Sequence, residues 1–255
     1  MAEAIIAALV DRRAAGAGDI LAADPSAARR NLVRRRYGVR TTVSNRRVLD
    51  RCRTIFLAVK PQNLDAVLDE LAPEAGPGHL FISIAAGRLL AGIEQRLARS
   101  KAVRVMPNLP AQVAEGMSVY CSGSRASARD RRTVEKLLGC FGRVLEMDEK
   151  AFDAVTAVSG SGPAFLAYAL DCLIRAGREE GLGPEESLLL AEQTMLGTAR
   201  LLLEKGVSPD DLIRSVASPG GTTEAGLAVL TRSELRKTMQ KTVRAAARRS
   251  RELSG

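Results

Sequence analysis

The sequence is poor in aromatic and histidine side chains. Its 255 residues include no tryptophan, only 3% aromatic residues, and a single histidine, His79. Few aromatic side chains means few stacking platforms for single-stranded nucleic acid, and one histidine excludes histidine-rich metal sites. We therefore expect neither a metal centre nor a nucleic-acid partner, although the formal net charge of +9 attracts anions in general. His79 opens a predicted strand, where a structural role is favoured over a catalytic one.

The sequence also lacks paired cysteines and long apolar runs. Its four cysteines, at positions 52, 121, 140 and 172, form no Cys-x-x-Cys pair, which is typical of free thiols in a reducing compartment. No uncharged apolar run reaches the roughly 18 residues of a membrane span. The N-terminus has no basic segment of the kind that begins a secretory signal. The sequence therefore predicts a soluble cytoplasmic protein without a membrane partner.

The order of the predicted elements indicates an α/β fold. Apolar residues make up 46% of the chain, enough to fill its cores. Strands alternate with helices up to about residue 146, which predicts a Rossmann-type parallel sheet with helices on both faces. Every periodic segment after that is helical, so we predict two domains, 1–147 and 148–255. Leucines on more than one face of the later helices predict a dimer or a larger closed oligomer.

The segment 217–227 has the composition of an anion-binding loop. A proline precedes Gly220 and Gly221, which reach backbone conformations that other residues avoid. The loop leads into a helix predicted to begin near Thr222, so successive N–H groups can converge at the positive end of that helix. A small carboxylate suits such a site, with Thr222 and Thr223 adding hydroxyl donors. The alternative is an ordinary helix–helix loop with a threonine cap.

A second small-residue turn is predicted at another helix start, in the segment 157–165. We expect Ser161 in this turn to contact the same small ligand as the loop 217–227.

Five short blocks together carry a family resemblance. Each is weakly specific alone, but the five in this order and spacing are specific: Ala58–Pro61, Ser83–Gly87, Arg104–Pro110, Ala157–Phe165 and Ser218–Leu227. On these blocks the chain resembles pyrroline-5-carboxylate reductase over essentially its whole length. The resemblance implies an NAD(P)-binding Rossmann domain and a helical domain that binds substrate and dimerises. It also implies hydride transfer from NADPH or NADH to the C=N bond of 1-pyrroline-5-carboxylate, giving L-proline.

The resemblance also implies site residues. Thr223 is the catalytic residue, and the substrate set is Gly220, Gly221, Thr222, Thr223 and Ser161. The cofactor set is Asn45, Ala58, Val59, Lys60, Pro61, Ala85, Ala86 and Asn108. Lys60 is implied to position the cofactor rather than to act as an acid. The imine is readily protonated, so the reaction needs a hydride donor and a held geometry more than a strong enzyme acid.

Asp24 completes the predicted cofactor site, at the end of the strand predicted over 20–23. Its carboxylate suits a ribose hydroxyl of NADH, whereas Arg29 and Arg30 suit the 2′-phosphate of NADPH, and the sequence leaves the choice open.

The predicted alternation begins on a helix, which departs from the family pattern. Members begin with a strand and a glycine-rich turn that ends in Gly-Asn-Met-Ala-x-Ala-Ile, and this chain begins at the methionine of that pattern, Met1. We expect the first strand and its phosphate-binding turn to be missing, and reductase activity to be low until they are restored.

Two alternatives to an active pyrroline-5-carboxylate reductase follow. A non-catalytic ligand-binding or oligomerisation protein derived from the family would also fit. A hydroxy-acid reductase of the same two-domain superfamily fits less well, because Ser159–Pro163 stands where those enzymes carry a lysine motif.

Overall fold

The computed structural model describes residues 1–254. The chain forms two compact units, of which unit 1 contains residues 1–161 and the end of the chain from Ala246, and unit 2 contains Gly162–Ala245. The predicted division into a cofactor-binding domain, 1–147, and a helical substrate-binding domain, 148–255, stays a prediction.

Unit 1 alternates strands and helices, as predicted. In chain order its elements are α1 (Ala2–Asp11), β1 (Leu21–Ala23), α2 (Ala27–Tyr37), β2 (Arg40–Thr42), α3 (Asn45–Arg51), β3 (Thr54–Leu57), α4 (Pro61–Leu71), β4 (Leu80–Ser83), α5 (Leu90–Arg96), β5 (Lys101–Met106), β6 (Gly116–Ser122), α6 (Ala128–Leu138), β7 (Gly142–Glu146) and α7 (Phe152–Val155). Helix α1 ends at Asp11, and Arg13 adopts a left-handed φ of 54° two residues later.

The described strands form two sheets. Strands β1 and β2 pair in parallel, and the other sheet has the order β3-β4-β5-β6-β7. Its pairs are parallel except β5 with β6, which is antiparallel. The β5–β6 connection is short, and a parallel crossover requires about a dozen residues or more. The predicted Rossmann-type parallel sheet is confirmed, with this antiparallel pair as a difference.

Helices cover both faces of the larger sheet. On β4, Phe81 packs into a cluster with leucines of α3, α4 and α5, whereas Leu80 and Ile82 pack into a second cluster with α1 and α6. Successive strand residues point to opposite faces, so the alternation of these three side chains fixes which helices lie on which side. The prediction of helices on both faces is confirmed.

Unit 2 is helical, as predicted for the C-terminal region. It contains α8 (Gly162–Glu179), α9 (Pro184–Lys205), α10 (Pro209–Val216), α11 (Thr222–Arg232) and the first part of α12 (Leu235–Ser254). Many large apolar side chains on these helices are exposed, among them Tyr168 at 74% and Leu189 at 67%. The helices of unit 2 therefore leave much of their apolar surface uncovered within one chain.

One continuous helical stretch among the described residues, Glu149–Glu179, is long and apolar enough to cross a membrane by length and composition alone. A core or interface helix of a soluble protein meets the same two criteria. The predicted absence of a membrane partner therefore stays a prediction.

The end of α12 packs within unit 1. The hydroxyl of Ser250 donates to Asp153 Oδ1 at 2.6 Å. A Cβ added to Gly87 would lie 2.9 Å from the backbone oxygen of Leu253, and Gly87 has a φ of +69°. Both features require glycine at position 87, directly after the predicted cofactor residues Ala85 and Ala86.

Candidate active site

The turns after β3 and β4 carry most of the predicted cofactor residues. The register pairs Leu57 with Ser83, so the segments 58–61 and 84–87 follow their strands at the same edge of the sheet. This edge is the carboxyl end of parallel strands, where open α/β sheets bind their ligands. The alanines at 58, 85 and 86 are small, which leaves the backbone of both turns open to close approach.

Lys60 lies at the start of α4. It is the N-cap residue, with its backbone extended and no side-chain capping bond, and Pro61 occupies the first turn of the helix. The Lys60 side chain is exposed. The geometry of this turn is therefore set by the proline and the strand end, with the lysine side chain extending from it.

The two predicted asparagines are held by their neighbours. Asn45 begins α3 and donates through Nδ2 to Glu70 Oε2 at 2.8 Å. Asn108 donates to Ser159 Oγ at 3.2 Å and accepts the N–H of Met117 at 2.8 Å through Oδ1. Asn108 therefore ties the end of β5 to β6 and to the segment before α8.

The segment around Ser161, predicted as a small-residue turn at a helix start, forms a π-helical turn directly before α8. Residues Thr156–Gly160 continue α7 as a π-helix, and the Ser161 N–H donates to Thr156 O at 2.8 Å. A Cβ added to Gly160 would lie 2.7 Å from Met106 Cε, so glycine permits the close approach of β5. Single π-helical turns occur frequently at functional sites. Periodicity alone does not reveal such a turn, because it depends on contact with another strand.

The predicted anion-binding loop lies in unit 2 and leads into α11, which begins at Thr222 with no side-chain cap. Gly220 has a φ of +72°, and its N–H donates to Glu224 Oε2 at 2.7 Å. The N–H of Gly221 donates to Ser218 O at 3.0 Å. Both glycine donors are therefore used within the loop. The first N–H groups of a helix have no intrahelical acceptor, so the helix itself leaves the N–H groups of Thr222 and Thr223 unused.

Sequence reasoning missed an ion pair between the buried Arg104 and the partly buried Glu149. Arg104 on β5 is 4% exposed, and its Nη1 lies 2.7 Å from Glu149 Oε1. The guanidinium also lies over the ring of Phe152, 4.6 Å from its centroid. The signal was present as an arginine inside an otherwise apolar strand, which requires a partner when it is buried.

No group of three or more potential metal ligands occurs within residues 1–254. Asp24 follows β1, and its N–H donates to Thr42 O at 3.2 Å, so it lies at the carboxyl end of the smaller sheet. Asp24 and the turns 58–61 and 84–87 are thus all in unit 1, and the loop 217–227 is in unit 2.

Family models match both parts of the chain. Residues 149–253 match the model for pyrroline-5-carboxylate reductase dimerisation, and residues 1–87 match the model for NADP oxidoreductase, coenzyme F420-dependent.

Named relatives match along the full chain. Pyrroline-5-carboxylate reductase 3 of Bos taurus is 41% identical, over 100% of this chain and 82% of the relative. Pyrroline-5-carboxylate reductase of Synechocystis is 39% identical, over 99% of this chain and 94% of the relative.

Solved structures agree with these matches. A pyrroline-5-carboxylate reductase from Coxiella burnetii gives a TM-score of 0.95 at 33% identity, covering 100% of this chain and 95% of that one. The Plasmodium falciparum pyrroline carboxylate reductase with NADP bound gives 0.87 at 29% identity, covering 99% and 94%. The full-length identity, the dimerisation match and the shared fold lead to one conclusion: the chain belongs to the pyrroline-5-carboxylate reductase family.

Proposed function

We propose that this chain reduces the C=N bond of 1-pyrroline-5-carboxylate to give L-proline, with NADH or NADPH as the reductant. The observation that carries this proposal is the uncapped start of α11, directly after the loop that contains Gly220 and Gly221. It falls within the region that matches the family's dimerisation model.

The loop is chemically suited to a carboxylate. The side-chain carboxylate of Glu224 accepts the Gly220 N–H at 2.7 Å, so a backbone N–H of this loop already binds a carboxylate of the same chain. The N–H groups of Thr222 and Thr223 extend the same positive helix end. The carboxylate of the substrate binds to these two donors and displaces the Glu224 carboxylate from Gly220, because two adjacent carboxylates repel each other.

The chemistry requires little from the protein beyond position. A bound nicotinamide cofactor would supply the hydride for the imine carbon, and the ring nitrogen would take one proton, so that the C=N bond becomes a C–N single bond. The Thr223 hydroxyl orients the ring nitrogen and relays that proton from water. A fixed geometry lowers the barrier because the entropy of bringing the reactants together has already been lost on binding.

The cofactor residues proposed are Asp24, Asn45, Ala58, Val59, Lys60, Pro61, Ala85, Ala86 and Asn108. The parallel strand ends in unit 1 support this set, since the turns 58–61 and 84–87 lie at the same edge. A carboxylate at Asp24 and small residues at 58, 85 and 86 fit the ribose and nicotinamide portions of a dinucleotide.

The chain acts as a homodimer or a larger homo-oligomer in the cytoplasm, without nucleic-acid or membrane partners. The match of residues 149–253 to a dimerisation model and the exposed apolar side chains of unit 2 support the assembly. A second copy that covers these side chains removes them from water.

The test uses the purified gene product that contains these 255 residues. It is mixed with 1-pyrroline-5-carboxylate and NADH or NADPH, and both cofactor oxidation and proline formation are measured. The proposal predicts one proline for each cofactor oxidised. Binding of proline without any turnover would support the non-catalytic alternative and overturn the proposal.

A further inference from the structure

The turn between β1 and α2, residues Asp24–Ser26, lies where a dinucleotide fold receives the adenosine ribose. Its first residue follows the last residue of β1, and the Asp24 N–H donates to Thr42 O at 3.2 Å. In such folds an acidic side chain at this strand end accepts the ribose 2′-hydroxyl, whereas a nearby arginine accommodates a 2′-phosphate. The charges around this turn therefore bear on which cofactor the chain prefers.

The Asp24 carboxylate is held in place by its own turn. Its Oδ1 accepts the Ser26 N–H at 2.7 Å. Among residues 1–254 no donor bonds to Oδ2, so one oxygen holds the turn and the other can accept a ribose hydroxyl. A fixed carboxylate accepts hydrogen bonds but repels a second anion.

The arginine that suits a 2′-phosphate is already engaged by the backbone. Nη1 of Arg30 donates to Asp24 O at 2.7 Å and to Pro25 O at 2.8 Å. These two bonds use both hydrogens of Nη1 and close the turn. Turning Nη1 toward a phosphate would break both bonds and leave two carbonyl groups without this donor, so only Nε and Nη2 stay available to a ligand.

Arg29 is the second cation near this turn, at the start of α2. Its backbone N–H donates to Ser26 Oγ at 3.4 Å, and its side chain is exposed. An exposed arginine in water attracts a phosphate weakly compared with a cation fixed in place. Asp24 lies at the strand end that receives the ribose, whereas both arginines lie on α2 and Arg30 keeps its Nη1 on the backbone of the turn, so the Asp24 carboxylate dominates the selection.

We propose that the turn Asp24–Ser26 selects a ribose without a 2′-phosphate, so that this chain binds NADH more tightly than NADPH. The inference rests on the proposed function, because it assumes a nicotinamide dinucleotide as cofactor. A 2′-phosphate carries a charge of about −1.5 to −2 at neutral pH and would lie against the Asp24 carboxylate. The Plasmodium falciparum relative was solved with NADP bound, so the preference is assigned to this chain's turn and not to every relative.

The test is the ratio of dissociation constants for NADH and NADPH, measured by calorimetric titration of the purified gene product. Adenosine 5′-monophosphate and adenosine 2′,5′-bisphosphate are titrated in parallel, because they isolate the ribose end. The unmodified protein is expected to bind the ligand without the 2′-phosphate about tenfold more tightly in each pair, or better. Asp24→Asn keeps the acceptor for Ser26 and removes the charge, so it should reduce or reverse the ratio.

Asp19→Asn is the matched control. Asp19 is exposed and precedes β1. Its replacement by asparagine removes the same charge at the other end of the strand, so the ratio of the two dissociation constants should not change. A tighter complex with NADPH, or a ratio that Asp24→Asn leaves unchanged, overturns the inference and leaves the proposed reductase standing. If neither dinucleotide binds, the inference and the proposed function are both overturned. Melting temperatures confirm that each variant is folded.

Discussion

Arg104 and Glu149 form a buried ion pair, with 2.7 Å between Nη1 and Oε1. The same carboxylate oxygen accepts the N–H of Leu90 at 2.7 Å, at the start of α5. One glutamate therefore joins the middle of β5, the start of α5 and the segment that leads into α7. These contacts connect β5, a strand of the sheet that carries the proposed cofactor turns, to α5 and to the segment before α7.

We predict that Glu149→Gln destabilises unit 1 by about 3 kcal/mol. Breaking a buried pair leaves one charge uncompensated, which costs about 3–5 kcal/mol, and the 28% exposure of the Glu149 side chain places the effect at the lower end. Urea denaturation measures the loss. The control is Glu74→Gln, since Glu74 pairs with Arg46 at 3.6 Å on the exposed surface and should cost less than about 1 kcal/mol. Equal losses in the two variants would contradict this account.

We predict that Gly87→Ala lowers the melting temperature, because the new Cβ meets the Leu253 backbone oxygen at 2.9 Å and the φ of +69° is unfavourable for alanine. The expected cost is about 1–3 kcal/mol. Gly92→Ala is the control, because nothing lies within 4 Å of its added Cβ and its helical position favours alanine by up to about 1 kcal/mol. If Gly87→Ala is as stable as Gly92→Ala, the end of α12 does not pack against this turn in solution.

The Asp130 carboxyl should make stability dependent on pH. Burial acts to raise its pKa, but hydrogen bonds from Ser127 and Lys101 outweigh burial and lower it below the ordinary value. A carboxyl whose pKa is lowered by folding stabilises above its unfolded pKa of about 3.9, and that contribution is lost as the pH falls through the folded value.

The corresponding variant is Asp130→Asn. It should lose about 1–2 kcal/mol at neutral pH, since Asp130 also forms the capping box of α6 with Ser127. Its deficit relative to the unmodified protein should shrink as the pH falls below about 4, as urea denaturation at several pH values would show. Asp50→Asn, at an exposed position on α3, is the control. A deficit of Asp130→Asn that stays constant down to the acid range would contradict the role given to the charge.

We predict that the protein is a dimer or a larger oligomer at micromolar concentration, as measured by light scattering. Leu189→Glu on α9 should weaken the assembly, because it places a charge on apolar surface that a second copy is proposed to cover. Val43→Glu in unit 1 is matched to it, since Val43 and Leu189 are both 67% exposed. A monomeric parent protein, or equal effects of the two variants, would count against assembly through unit 2.

Much of the fold could be predicted from the sequence, because local patterns determine it. The apolar run of β4 and the spacing of Leu64, Leu68 and Leu71 along α4 depend on neighbouring residues alone. The start of α11 at Thr222 follows from the glycines before it. The resemblance supplied the family, which the relatives confirm.

Features that depend on distant contacts could not be predicted. The π-helical turn before Ser161 accompanies the approach of Met106 to Gly160, and the pairing of Arg104 with Glu149 joins residues far apart in sequence. The hydrogen bond from the Gly220 N–H to Glu224 is local, but the direction of a side chain cannot be predicted from the residue type alone. The site assignments themselves remain predictions.

The proposed reaction requires that the loop before α11 holds the substrate and that Thr223 acts on it. The most direct measurement is kcat/KM of Thr223→Ala, with 1-pyrroline-5-carboxylate and the cofactor that the parent protein uses. We predict a loss of about tenfold to a thousandfold, equivalent to about 1.4–4 kcal/mol of barrier, with a milder loss for Thr223→Ser and little change in melting temperature. Thr231→Ala, which removes a hydroxyl bonded to Leu227 O later in the same helix, should leave kcat/KM unchanged. An unchanged kcat/KM in Thr223→Ala would contradict this requirement.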